Sequence, residues 1–174
     1  SISLGGGAVN ARVSLFWRIA TGAGSSVVLN AGTNCAMVYG RLSYSGPAAS
    51  PFVQVAFGAD AGGDTSIVLS GLTATADSLL TAFIAQGVAQ NITPPGTMTE
   101  RYDVAASGQS SHDETAAGGA TGTRTFTLPA AADAGWGLAE FLGVADVDLF
   151  DGAIFDTVIF DGIAAAGAQT VTAP

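Results

Sequence analysis

The stretch Arg12-Val-Ser-Leu-Phe-Trp-Arg-Ile19 carries an apolar side chain at every second position. Successive side chains of an extended strand point to opposite faces, so these apolar residues would share one face. They are Val13, Leu15, Trp17 and Ile19. Alternation of this kind is typical of a half-buried β-strand, and we expect a strand here.

Similar short runs recur along the chain, separated by clusters of Gly, Asn, Ser and Pro. They are 26–29, 35–43, 52–57, 66–69, 78–85, 98–104, 123–128 and 136–144. Residues 130–142 are rich in Ala and could form a short helix, but Gly135 and Gly137 favour a strand. Many short strands with turn signals between them predict an all-β protein, an antiparallel β-sandwich or barrel.

The composition excludes several functions. The chain has 174 residues, 14 Asp and Glu against 5 Lys and Arg, and a formal net charge of −9. Such a surface repels nucleic acid and anionic membranes, because binding to both depends on basic residues. No apolar run is long enough to span a bilayer. The one cysteine, Cys35, lies in a strand-like run, and we expect a buried thiol there.

Two segments stand apart from the strand pattern. Residues 105–122 are nearly all small or polar, which predicts an exposed loop. From residue 146 the chain repeats a five-residue unit of one aliphatic residue, one Phe and one Asp. We therefore divide the chain into a sandwich domain at 1–145 and a tail at 146–174. The tail either docks on a neighbouring chain or folds back on its own sandwich. For docking, Phe150, Phe155 and Phe160 are the expected interface anchors, since buried aromatic residues dominate contact energies.

No catalytic constellation emerges, so we expect a non-enzyme with no catalytic residues and no cofactor. The run Ser110-Ser-His-Asp-Glu114 holds the residue types of a hydrolase triad, but neighbours on an extended chain point apart. No nucleophile elbow accompanies it, and a solvated loop is the expectation. A carboxylate pair for glycoside hydrolysis would need Asp103, Glu100 or Glu140. The last two alternate with apolar neighbours, which favours edge or subunit-contact positions.

Two binding sites remain open from the residues alone. Asp146, Asp148 and Asp151 could supply oxygen ligands to Ca²⁺ or form a solvated acidic turn, and Asp60 and Asp64 are a weaker pair. A sugar site would need exposed aromatic rings. Trp17 and Trp136 alternate with apolar residues and are expected in the core, whereas the tyrosines could be partly exposed: Tyr39, Tyr44 and Tyr102.

An ordered set of segments resembles a β-sandwich repeat of bacteriophage and prophage virion proteins, also found in large bacterial surface proteins. The resemblance covers about residues 1–145. The matching pieces are Ser1-Ile-Ser-Leu-Gly-Gly-Gly-Ala-Val9, Val13-Ser-Leu-Phe-Trp-Arg-Ile-Ala-Thr-Gly22, Ser26-Val-Val-Leu29, Asp77-Ser-Leu-Leu80, Ile92-Thr-Pro-Pro-Gly-Thr-Met-Thr99, Ala120-Thr-Gly-Thr-Arg-Thr-Phe-Thr127 and 136–144. It implies a sandwich of jelly-roll type.

The resemblance also implies a function, that of a structural protein of the extracellular virion. We expect a capsid decoration or a fibre or tail module that assembles through β-edge and apolar contacts. The expected partners are copies of itself and other virion proteins, with a host surface glycan as a further candidate. The alternative is a carbohydrate-binding module or a bacterial adhesin, because one fold serves many functions.

Overall fold

A computed structural model describes residues 7–8, 11–15, 27–29, 42, 50–61, 63–142 and 169–171. These residues form β-strands joined by turns, with one short 3₁₀ turn at Ala105–Ser107 and no α-helix among them. The predicted all-β class is confirmed.

The strands in chain order are β1 (Gly7–Ala8), β2 (Ala11–Arg12), β3 (Val27–Leu29), β4 (Phe52–Asp60), β5 (Ser66–Leu69), β6 (Thr73–Ala74), β7 (Leu79–Gln86), β8 (Thr99–Val104), β9 (Gln109–Thr115), β10 (Gly119–Ala120), β11 (Arg124–Thr127), β12 (Ala134–Phe141) and β13 (Gln169–Val171). Five of them form one antiparallel sheet in the order β4-β12-β7-β9-β8. The other pairs are antiparallel too: β1 with β2, β3 with β13, β5 with β11 and β6 with β10.

The main apolar core lies on one side of the five-stranded sheet, which we call the inner face. Leu80, Ala82 and Ile84 of β7 point to this side, because alternate residues of a strand share a face. Residues of β5 and β11, among them Ile67 and Phe126, pack onto them in the same buried cluster. Two layers of antiparallel strands thus enclose one core, as in a β-sandwich.

The opposite, outer face of the sheet holds a second and smaller cluster. Small residues of β12 line it, and Phe57 of β4 lies so close to Gly137 that a Cβ there would be 2.8 Å from the ring. The same Cβ would be 3.7 Å from Val13, which packs on this face together with Leu15. Strands β1 and β2 also contact this sheet. The outer face is therefore covered in part by the N-terminal segment.

Both edge strands of the five-stranded sheet carry a β-bulge. In β4 the register skips Val53, since Gln54 pairs with Glu140 and Phe52 with Phe141. In β8 the register skips Arg101 in the same way. A bulge twists a strand and interrupts its row of hydrogen-bonding groups, so it hinders pairing with a further strand.

Most predicted strands that fall on described residues are confirmed. Predicted strands 66–69 and 123–128 form the β5–β11 pair, and 52–57, 78–85, 98–104 and the part of 136–144 up to Phe141 form four strands of the main sheet; residues 143–144 lie outside the described ranges. The predicted loop 105–122 is wrong, because it contains β9. Of 12–19 only residues 12–15 are described, and Val13 and Leu15 are buried while Ser14 is exposed. Of 35–43 only residue 42 is described, and the boundary at 145 lies outside the described residues.

Candidate functional site

The run Ser110-Ser-His-Asp-Glu114 lies in the interior of the main sheet. It belongs to β9, which is hydrogen-bonded to β7 on one side and to β8 on the other. Ser110, Ser111 and His112 are 1%, 0% and 0% exposed, so the expectation of a solvated loop is wrong. Flanking strands cover this polar segment, and they satisfy its backbone groups.

The strand sorts these side chains onto two faces. His112 pairs with Ala82 of β7 and therefore points to the inner face with Ser110 and Glu114. Asp113 pairs with Thr81 and points to the outer face. The prediction that neighbours in this run point apart is confirmed.

Ser110 and His112 form a hydrogen-bonded pair between the two layers. His112 Nε2 lies 2.8 Å from Ser110 Oγ, and the imidazole centroid lies 4.9 Å from that of Phe126 in β11. Nδ1 of His112 is buried and has no hydrogen-bond partner among the residues that the structure describes. Burial disfavours the charged imidazolium and lowers the pKa of His112 to about 4.

No carboxylate of the described residues completes a hydrolytic triad with this pair. A triad needs a carboxylate on the second imidazole nitrogen, and Asp113 points to the other face of the sheet. Both side chains are also buried, so Ser110 Oγ is not open to a substrate carbonyl in this conformation. The geometry indicates a structural hydrogen bond.

The two acidic residues of β9 are each paired with an arginine. Asp113 Oδ2 accepts a hydrogen bond from Arg101 Nε at 2.7 Å, and this arginine is the bulged residue of β8. Glu114 Oε1 accepts one from Arg124 Nε at 2.8 Å. Since Arg124 belongs to β11, the second pair joins the two layers of the sandwich.

Glu140 lies at the centre of a second polar network on the inner face. Its Oε2 accepts a hydrogen bond from Gln54 Nε2 at 2.6 Å, and its Oε1 accepts one from the backbone N–H of Thr75 at 2.7 Å. Burial alone raises the pKa of a carboxyl, but the hydrogen bonds from Gln54, Thr75 and Ser78 outweigh it and leave the pKa of Glu140 below its usual value. Glu140 is 0% exposed on β12, inside the sheet, so its predicted edge position is wrong.

The remaining carboxylate candidates lie on β8. Glu100 lies on this edge strand, as predicted, and its side chain is exposed. Partial desolvation of the carboxyl, together with the nearby Asp103, raises the pKa of Glu100. Asp103 Oδ2 accepts a hydrogen bond from the N–H of Ile92 at 2.6 Å, and Oδ1 is buried with no partner within the described ranges. Burial raises the pKa of Asp103 more than this bond lowers it.

Aromatic rings of the described residues are all at least partly buried. Trp136 is 5% exposed, which confirms its predicted place in the core. Tyr102 is 8% exposed, so the expectation of a partly exposed ring is wrong. The other candidate rings, Trp17, Tyr39 and Tyr44, lie outside the described residues. The described part of the chain therefore presents no exposed platform for stacking on a sugar.

The metal and tail candidates fall largely outside the described residues. Cys35 and the candidates of the tail lie there: Asp146, Asp148, Asp151, Phe150, Phe155 and Phe160. Within the described ranges, which include Asp60 and Asp64, no three His, Cys, Asp or Glu side chains converge to hold a metal ion. No helix in these ranges is long and apolar enough to cross a membrane.

Comparisons with known proteins give no relative. The chain matches no known protein family, no curated protein and no solved structure.

Proposed function

We propose that this chain is a non-enzymatic structural module of a bacteriophage particle, a capsid decoration or a fibre or tail module of jelly-roll type. The observation that supports it best is the use of the polar groups of β9 and β12. Ser110, His112, Glu114 and Glu140 are directed to internal contacts between strands and layers. These contacts stabilise the sandwich, as a structural module requires. The resemblance to virion repeats is the reason for proposing a place in a bacteriophage particle.

Assembly would proceed through apolar and edge contacts between copies and with other virion proteins. The two edges of the main sheet differ in their suitability. Both edges carry a bulge, but the β8 edge also carries Glu100, Arg101 and Asp103, and charges on an edge strand disfavour strand addition. The β4 edge has a single charged residue, Asp60 at its end. We therefore assign any edge contact to β4 and the apolar contacts to Phe150, Phe155 and Phe160.

Mass spectrometry of particles tests the location. Particles released from the source bacterium and banded in a density gradient should contain this chain in fixed proportion to the major capsid protein. Its absence from banded particles would overturn the proposal.

Truncation after Val147 tests the tail as an interface. The truncated chain should retain its β-sheet circular dichroism and lose its oligomeric state in light scattering. Normal assembly of the truncated chain would show that the three phenylalanines are not interface anchors. The truncation also removes β13, which pairs with β3, so a truncated chain that fails to fold is judged by the following point variants, which keep β13. A triple Phe→Ala variant at 150, 155 and 160 should match the truncation, whereas a triple Asp→Asn variant at 151, 156 and 161 should assemble.

The alternative, a carbohydrate-binding module or adhesin, requires exposed aromatic rings, and the described residues present none. Titration calorimetry with host cell-wall and surface glycans distinguishes the two. Saturable binding by an isolated chain that is absent from particles would favour the alternative.

A further inference from the structure

We propose that the packing contact of His112 between the two layers of the sandwich is acid-sensitive, so that acidification releases the β5–β11 pair from the five-stranded sheet. The inference concerns the folded module itself and does not depend on the proposed place in a particle.

The position of the imidazole carries the argument. His112 lies on β9 with its ring against Phe126, which belongs to the opposite layer and is 0% exposed. One ring nitrogen is hydrogen-bonded to Ser110 Oγ, and the other has no partner in the described part of the chain. A proton added to this ring would place a charge and an unsatisfied donor in the interface between the layers, where water is excluded. Such a charge raises the free energy of the folded state unless the two layers separate and admit solvent.

The charged groups around this interface do not offset the free-energy cost of a buried imidazolium. Glu100, the register partner of His112 on β8, is exposed, and Asp103 further along this strand accepts a hydrogen bond from Ile92. On β9 itself, Glu114 is bound by Arg124 of β11. Glu140 of β12 is held by Gln54 and Thr75. Strands β5 and β7 contribute no ionisable side chain.

The direction of the pH effect follows from burial. Burial lowers the pKa of His112 from 6.5 to about 4, so the packed state of the two layers favours the neutral ring. The contact between the layers is therefore most stable above pH 6.5 and becomes less stable as the pH falls towards 4. Each pKa unit changes the ratio of open to closed molecules tenfold, so the whole interval corresponds to a factor on the order of 300.

Residue-resolved hydrogen exchange tests the proposal on the full chain. After correction for intrinsic exchange rates, amides of β5 and β11 should lose protection by a factor on the order of 100 between pH 7 and 4, while β7 and β12 lose much less. The variant His112→Gln keeps a hydrogen-bonding group for Ser110 and removes the titration, so its loss should be at least tenfold smaller. Every other acidic group is common to both proteins and cancels in this comparison.

A second measurement needs no variant, because His112 is the only histidine. Its single imidazole resonance should titrate well below pH 6.5, or shift only as the protection of β11 is lost. A midpoint near 6.5 with β5 and β11 still protected would overturn the proposal, as would equal loss of protection in both layers. An unchanged acid response in His112→Gln would overturn it too.

Discussion

The indole of Trp136 occupies the space in which Gly58 would carry a side chain. The two residues are direct partners across β4 and β12, and a Cβ at Gly58 would overlap Cζ2 of the indole. Trp136 is itself packed in the main core, so a shift of the ring would disturb that packing. A glycine at this point of an edge strand is thus a packing requirement of the core.

Gly58→Ala should therefore lower the free energy of unfolding by about 2–3 kcal/mol, because overpacking forces the indole or β4 to shift. Urea denaturation followed by tryptophan fluorescence measures it. Gly96→Ala is the matched control, since a Cβ at Gly96 meets nothing within 4 Å. Equal stability of the two variants would refute this packing relationship.

Glu140→Gln should cost about 1–3 kcal/mol at pH 7, because a carboxylate that accepts two strong hydrogen bonds is replaced by an amide whose NH₂ faces a donor. The pKa of Glu140 is lowered, so its contribution is present above about pH 4.5 and is lost as the pH falls through the folded-state pKa. The stability difference from wild type should shrink on acidification. Glu100→Gln, at an exposed edge position, should change stability by less than about 0.5 kcal/mol.

Arg124→Met should destabilise the protein by about 3 kcal/mol, since it leaves Glu114 nearly buried without its partner. The double variant with Glu114→Gln should recover part of this loss, and a double-mutant cycle measures the coupling. The coupling should persist in 1 M NaCl, because buried pairs are weakly screened. Additive effects of the two substitutions would contradict a tie between β11 and β9.

Asp77 has a φ of 60°, the left-handed region that favours glycine. Its N–H donates to the carbonyl of Ala116 at 2.9 Å, which holds the turn before β7 in this conformation. Asp77→Gly should therefore be about 1 kcal/mol more stable than Asp77→Ala in thermal denaturation. At the adjacent exposed Ala76 the order should reverse, with Ala76→Gly less stable than wild type. The same order at both positions would contradict the strain.

Local alternation was enough to predict much of the sandwich. In β5, Ile67 and Leu69 are 0% exposed and the intervening Val68 is 48% exposed, so three consecutive residues show the alternation. Phe126 and Leu128, which are also two positions apart, are likewise both buried. Such assignments succeed because the side-chain period of a strand is a property of the segment itself.

Strand order and the burial of polar residues depended on the tertiary structure. Residues 109–115 carry no apolar alternation, and their polar side chains are buried because Arg101 of β8 and Arg124 of β11 pair with Asp113 and Glu114. Glu140 alternates with apolar neighbours, which predicted an edge position. In the structure β4 pairs with the outer side of β12 and supplies Gln54 as a hydrogen-bond donor to Glu140. The sequence by itself thus determined which segments extend and which apolar side chains share a face. Only the tertiary structure decided which strands lie inside the sheet and which charges are neutralised there, because those partners come from distant parts of the chain.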